Sequence, residues 1–143
     1  MTDEELATAC AEAMWAADRA SQALGMTLES VRPGGARLTM EVRAGMVNGH
    51  DLCHGGLIAT LADSAFAFAC NTHGTVTVAA GFDIAFLEPA HLGDLLVADA
   101  REVTRRGRTG VYDVTVRRGD TVIAEFRGRS HSLDRSVLSD AGA

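Results

Sequence analysis

Asp63 is the one charge in an otherwise apolar stretch, TLADSAFAFAC. An ionised carboxylate is costly to bury without partners, so two readings stand. Asp63 is either a core aspartate paired with a buried hydroxyl or backbone group, with Thr60, Ser64 and His54 as the near candidates, or a perturbed carboxylate kept for chemistry. The same stretch opens on His54-Gly55-Gly56. Glycine lets a ligand or another chain approach the backbone closely. The first N–H groups of a helix lack intrahelical partners and carry the positive end of its dipole. Such donors can hold a carbonyl oxygen while negative charge develops on it. A tight loop-to-helix junction is the plainer reading of the glycine pair.

Spacing adds a constraint. Asp63 lies eight residues beyond Gly55, about 12 Å further along a helix that rises about 1.5 Å per residue. A water activated by a carboxylate and an oxyanion donor must both lie roughly 3 Å from one reacting carbon. One chain cannot meet that condition. Two such helices packed antiparallel across a two-fold axis can, with Asp63 of one chain facing Gly55 of the other. The expected minimal active unit is therefore a homodimer.

The elements that must carry these groups follow from periodicity. Residues 3–19 repeat apolar positions at three or four (Leu6, Cys10, Met14, Ala17) behind Thr2 and an acidic first turn, which predicts a helix. Residues 26–43 read as two strands broken at Pro33-Gly34-Gly35, and 44–54 as a loop. Residues 54–71 are long, Ala-rich and apolar nearly all round, which predicts a buried helix. Residues 76–87, 95–104, 110–118 and 121–132 are Val-, Ala- and Thr-rich strands. The turns between the last three are Arg105-Arg106-Gly107-Arg108 and Arg118-Gly119-Asp120. The expectation is an α+β domain, an antiparallel sheet of five to six strands wrapped around a long central helix. The 143 residues form one domain, with a core at about 26–133 and a flexible tail at 134–143.

Taken together, Asn48-Gly49-His50, His54-Gly55-Gly56, Leu61-Ala62-Asp63 and Ala65-Phe66-Ala67 resemble the signature of hotdog-fold thioesterases. The phenylacetic-acid-degradation (PaaI) thioesterases are the nearer match. FDIAFLEPAHLGD (82–94) and FRGRSH (126–131) also resemble that family, so the likeness spans roughly residues 20–133. The resemblance implies an acyl-CoA thioesterase acting on phenylacetyl-CoA or hydroxyphenylacetyl-CoA-type thioesters. It implies that Asp63 activates water or attacks the carbonyl, that the Gly55 N–H polarises that carbonyl, that Asn48 places the acyl group or the water, and that His54 supports the loop. It further implies an aspartate supplied by the neighbouring subunit, a homotetramer built from two dimers, and no cofactor, coenzyme A being part of the substrate. Family members often carry Ser or Thr early in the strand after the helix. The nearest candidates here are Thr77 and Ala79, and spacing from Pro89 favours Ala79, which has no hydroxyl.

Arg105, Arg106 and Arg108 form the densest basic cluster in the chain. Phosphates need such charges, preferably on arginine, although a solvated turn would look the same in composition. The resemblance assigns this turn, with Thr109, to the coenzyme A nucleotide, and Gly56, Phe86 and His131 join as weaker substrate contacts. A non-catalytic acyl-CoA sensor on the same fold is the alternative function. A hotdog hydratase fits less well, because Asp63 lies too far down its helix.

Composition narrows the remaining classes. A formal charge of −6 argues against a nucleic-acid protein, whose binding face is usually basic. No run approaches the 18 or more apolar residues that span a bilayer, and the acidic N-terminus lacks a signal peptide's basic segment. Cys10, Cys53 and Cys70, an odd number without a CxxC pair, fit free thiols in a reducing cytoplasm. His50 and His54 are spaced as in HxxxH, but they lie in a glycine-containing loop without a third ligand, so no metal site is expected.

Overall fold

The computed structural model describes residues 1–141. Helix α1 (Asp3–Ala17) starts at a reciprocal cap. The Thr2 hydroxyl accepts from the Glu5 N–H at 3.1 Å, and the Glu5 carboxylate accepts from the Thr2 N–H at 3.0 Å. The helix expected to reach residue 19 stops at Asp18, and a separate α2 (Arg19–Ala23) follows. Asp18 is the physical cause. Its carboxylate accepts from the Ser21 N–H at 3.0 Å and from the Ser21 hydroxyl at 2.7 Å, so it caps a new helix instead of continuing the old one.

Strands β1 (Thr27–Arg32), β2 (Gly35–Glu41), β3 (Thr75–Phe86), β4 (Leu95–Arg106), β5 (Thr109–Arg118) and β6 (Thr121–Ser136) form one antiparallel sheet in the order β1-β2-β4-β5-β6-β3. Between β2 and β3 in sequence runs α3 (Gly55–Cys70), which packs across β2, β4 and β5. Leu61 and Phe66 of α3 meet Leu38, Met40, Val114 and Phe126 of the sheet in one core. The Phe66 ring comes so close to β6 that a Cβ on Gly128 would lie 2.8 Å from it, so only glycine lets the helix sit this near the sheet. A row of rings continues outward: Phe66 with Phe126 at 5.7 Å, then Phe126 stacked on Phe82 of β3 at 4.7 Å.

Two further expectations need correction. Arg105 and Arg106 are strand residues, because β4 runs through Arg106 and the turn narrows to Gly107-Arg108, with Gly107 at φ +58°. Residues 134–141 are not a free tail. β6 continues to Ser136, paired with Thr75, and α4 (Val137–Ala141) follows. The Val137 N–H donates to Gly74 O at 2.8 Å, and its side chain is buried. Residues 142–143 of that expected tail lie outside the described residues.

Candidate active site

The loop before α3 is organised by Asn48. Its side-chain oxygen accepts from the N–H groups of His50 (2.9 Å) and Leu52 (3.2 Å), and its own N–H donates to Leu52 O at 2.9 Å. The result is a small turned loop closed by a bridge between Val47 and Cys53. His54 follows as the helix N-cap. Its N–H is tied to Met46 O at 2.9 Å, its carbonyl accepts from Leu57 and Ile58, and its exposed imidazole makes no capping bond. Among the described residues, no backbone bond engages the Gly55 or Gly56 N–H. Phe86 of β3 lies over Gly55, where a Cβ would come within 2.9 Å of the ring, whereas Gly56 faces open space. Asn48, Cys53, Gly55, Ile58 and Phe86 border a cleft of about 410 Å³.

Asp63 does not belong to that cleft. It lines a second cavity, of about 510 Å³, between the C-terminal half of α3, the Val76–Ala79 segment of β3, α1 and α4. The two cavities have no residue in common. The candidate partners of a merely structural Asp63 are engaged elsewhere. The Thr60 hydroxyl donates to Gly56 O at 2.8 Å, Ser64 lies 2.9 Å from the Ser21 hydroxyl, and His54 is the N-cap, at the start of the helix. Among the described residues, no side-chain hydrogen bond reaches the Asp63 carboxylate. Burial pushes its carboxyl up from the ordinary aspartate value. A half-buried, unpaired carboxylate of this kind is suited to accept a proton.

Of the basic cluster, the fold gathers Arg105 and Arg108 but not Arg106. The two border a polar cavity of about 210 Å³ with His73, Tyr112, Ser130 and Ser132. Arg108 is ion-paired to Asp134 at 2.8 Å. Burial opposes ionisation of nearby Glu102, but hydrogen bonds to His73 (2.7 Å) and Tyr112 (2.8 Å) outweigh it and hold that carboxyl below its usual range. Arg106 and Thr109 face each other in register outside this cavity. His131 is exposed on β6, opposite Thr109 and Val78. The Thr77 hydroxyl donates to Thr75 O at 2.8 Å and also meets Ser132. Ala79 faces the Asp63 cavity without a hydroxyl. Ala13, Met14, Ala17 and Val137, which carry no chemistry of their own, also wall that cavity. The first three share one face of α1 at helical spacing, and that was the available signal.

Comparison with known proteins agrees with this architecture. Residues 50–125 match the family model of the Thioesterase superfamily. The acyl-coenzyme A thioesterase PaaI of Escherichia coli (strain K12) is 42% identical over 132 residues, which is 92% of this chain and 94% of that protein. The solved structure of the E. coli PaaI protein from the phenylacetic acid degradation operon superposes with a TM-score of 0.92 at 40% identity, covering 94% of this chain and 99% of that one. A Streptococcus mutans UA159 protein solved with acetyl CoA bound superposes with a TM-score of 0.73 at 28% identity, over 76% of this chain and 88% of that one. With its six-stranded antiparallel sheet, its helix packed against that sheet, and Gly55 and Asp63 on that helix, the chain belongs to the thioesterase superfamily, on a hotdog fold, as a relative of the PaaI thioesterases.

Proposed function

We propose that this protein hydrolyses aryl-acetyl thioesters of coenzyme A, phenylacetyl-CoA foremost, at sites shared between two subunits. The observation that carries the reading is the separation of Gly55 and Asp63 into two cavities at opposite ends of β3. Phe86, at the C-terminal end of β3, covers Gly55, while Val76–Ala79, at its N-terminal end, flank Asp63. β3 is an edge strand, and Val78, Phe82 and Phe86 on it are exposed. A long apolar edge invites pairing with another strand. Pairing of two β3 edges about a two-fold axis is antiparallel, so the Phe86 end of one meets the Val76 end of the other. That brings Gly55 of one subunit beside Asp63 of its partner and completes a site that neither holds alone. A tetramer of two such dimers accords with the same reading.

In the resulting mechanism the ionised Asp63 takes a proton from water as the water oxygen attacks the thioester carbonyl. The carbonyl oxygen, becoming negative, is held by the Gly55 N–H with the helix dipole behind it. Collapse of the tetrahedral species breaks the carbon–sulfur bond, and the proton leaves with the thiol. His54 and Asn48 act through the loop, keeping the Gly55 N–H aimed. Arg105 and Arg108 offer charge to the coenzyme's phosphates. The buried thiols of Cys10, Cys53 and Cys70 accord with a reducing, cytoplasmic setting.

Subunit complementation tests the shared site. Asp63→Asn and Gly55→Pro, the latter without the N–H that polarises the carbonyl, each inactive alone, are expected to recover thiol release from phenylacetyl-CoA when co-expressed, because a mixed dimer contains one intact site. Two inactive variants that stay inactive in a verified mixed dimer would refute the shared site.

A further inference from the structure

The middle of α3, where Asp63 lies, is held differently from its two ends. At the start, the His54 N–H donates to Met46 O at 2.9 Å. At the end, the Asn71 NH₂ donates to Thr77 O at 2.9 Å, its oxygen accepts from the Thr77 N–H at 2.8 Å, and the Thr72 hydroxyl accepts from the Gly34 N–H at 2.8 Å. Between them, among the described residues, one side chain of residues 55–69 hydrogen-bonds to another element, and it is Ser64, the neighbour of Asp63. Its partner is the buried Ser21 of α2, 2.9 Å away. Ser21 has a single hydroxyl proton and gives it to the Asp18 carboxylate at 2.7 Å. Ser64 must therefore be the donor to Ser21. The series runs from Ser64 to Ser21 to Asp18 and ends on a carboxylate, the stronger kind of acceptor. One turn further along α3, Phe68 meets Trp15 of α1 with ring centroids 6.0 Å apart. The rest of the grip on this helix is apolar, much of it through small side chains such as Ala62, Ala65 and Ala69, and apolar contact has no direction.

Resting on the thioesterase reading, we infer that Ser64 is a positioning residue, and that its bond through Ser21 to Asp18 sets the roll of α3 that aims Asp63 at the attacking water. Asp63 has no side-chain hydrogen bond of its own among the described residues, so its place follows from the helix. Ser64 is the next residue on that helix, so a roll that parts it from Ser21 swings Asp63 through the same angle. Side-chain ends lie about 5–6 Å from a helix axis, so a roll of about 10° carries them about 1 Å. Misplacement by about 1 Å can cost a reaction about 10²-fold. The first two helices thereby enter the site without touching substrate. Asp18, which ends α1 and caps α2, is the fixed point from which the base is aimed.

Steady-state hydrolysis of phenylacetyl-CoA by Ser64→Ala and Ser21→Ala proteins tests the assignment. Each is expected to lower kcat about tenfold with KM unchanged, the signature of an interaction realised only in the transition state. The double variant should lose no more than either single one, because both break the same series. Ser64→Thr, which keeps the hydroxyl, should keep most of the rate. In an Asp63→Asn background Ser64→Ala has no base left to misaim, so the residual rate should not fall further. Circular dichroism identifies a variant that fails to fold, and Ser64→Cys, of similar shape but a weak donor, then takes the place of the alanine with the same expected loss. Unchanged kcat in the folded Ser64 and Ser21 variants would overturn the inference and leave the thioesterase reading intact. So would a Ser64→Thr protein as slow as the alanine variant, or a further loss in the Asp63→Asn background, which would mark a general loosening of the fold. Absence of hydrolysis by the unaltered protein would remove the thioesterase reading and this inference with it.

Discussion

The two ends of β3 border two kinds of surface. Near Phe86 the groups on offer are backbone N–H donors at the start of α3, aimed by a loop that Asn48 ties together and left free by glycines. Near Val76 the group on offer is the unpaired carboxylate of Asp63 in a mostly apolar cavity. The backbone donors are aimed by the helix itself and work while exposed. A carboxylate becomes a useful base only when it is desolvated and left unpaired. One helix supplies both conditions because its first turn reaches solvent while its middle is buried. The same length that separates the two environments also separates the two groups beyond the reach of a single thioester.

Removing the carboxylate should have the largest effect. Asp63→Asn is expected to lower kcat/KM by about 10²- to 10⁴-fold, the usual contribution of a general base, with the assembly state unchanged in sedimentation. Next comes separation of the subunits. A charge on the exposed β3 edge, Val78→Arg, should produce a folded monomer whose thiol release falls in step with the monomer fraction, even though Asp63 and Gly55 are intact. A fully active monomer would show that one chain suffices.

At the other end, Gly55→Ala forces a methyl group to within about 2.9 Å of the Phe86 ring. An activity loss of about tenfold is expected, and adding Phe86→Ala should restore part of it by removing the clash. No recovery in the double variant would mean that the ring does not set the position of this backbone.

The smallest effect is on stability, and its sign follows from linkage. Burial raises the Asp63 carboxyl in the folded state, so between the ordinary carboxylate value and that raised value the native protein binds more protons than the unfolded chain. Stability therefore falls as pH rises through this window, and the full cost is present above it. Asp63→Asn should melt a few degrees higher than the unaltered protein at neutral pH, with the gap closing in acid. Hydrolysis should run the other way, appearing as pH rises through the raised value. A pH profile of kcat/KM from acid to neutral checks the second statement, and paired melting curves check the first.

Much of this was legible in the residues. The α3 boundaries and the strand sequence rest on period and glycine placement. Those signals are local, and the fold obeyed them. What escaped was decided by contacts between distant segments. Asp18 looks like one more polar residue on a helix until Ser21, itself in contact with Ser64 of α3, is placed beside it. Residues 134–141 carry no clear apolar period, and they are ordered by pairing with Thr75 and by the Gly74 carbonyl. Arg105 and Arg106 are neighbours in sequence, but only Arg105 borders the polar cavity with Arg108, because side chains alternate along β4. The role of α1 as a wall of the Asp63 cavity needed the third dimension altogether.

The chain has a single tryptophan, and its place on α1 has an optical consequence. Trp15 follows Met14 directly and sits half-buried with its ring centroid 6.0 Å from that of Phe68 on α3. All indole emission from this protein therefore originates at the seam between the helix that walls the Asp63 cavity and the helix that carries Asp63. An acyl group filling the cavity should change the polarity around that one fluorophore. Occupancy could then be followed in real time without a label, even in an Asp63→Asn protein that releases no thiol.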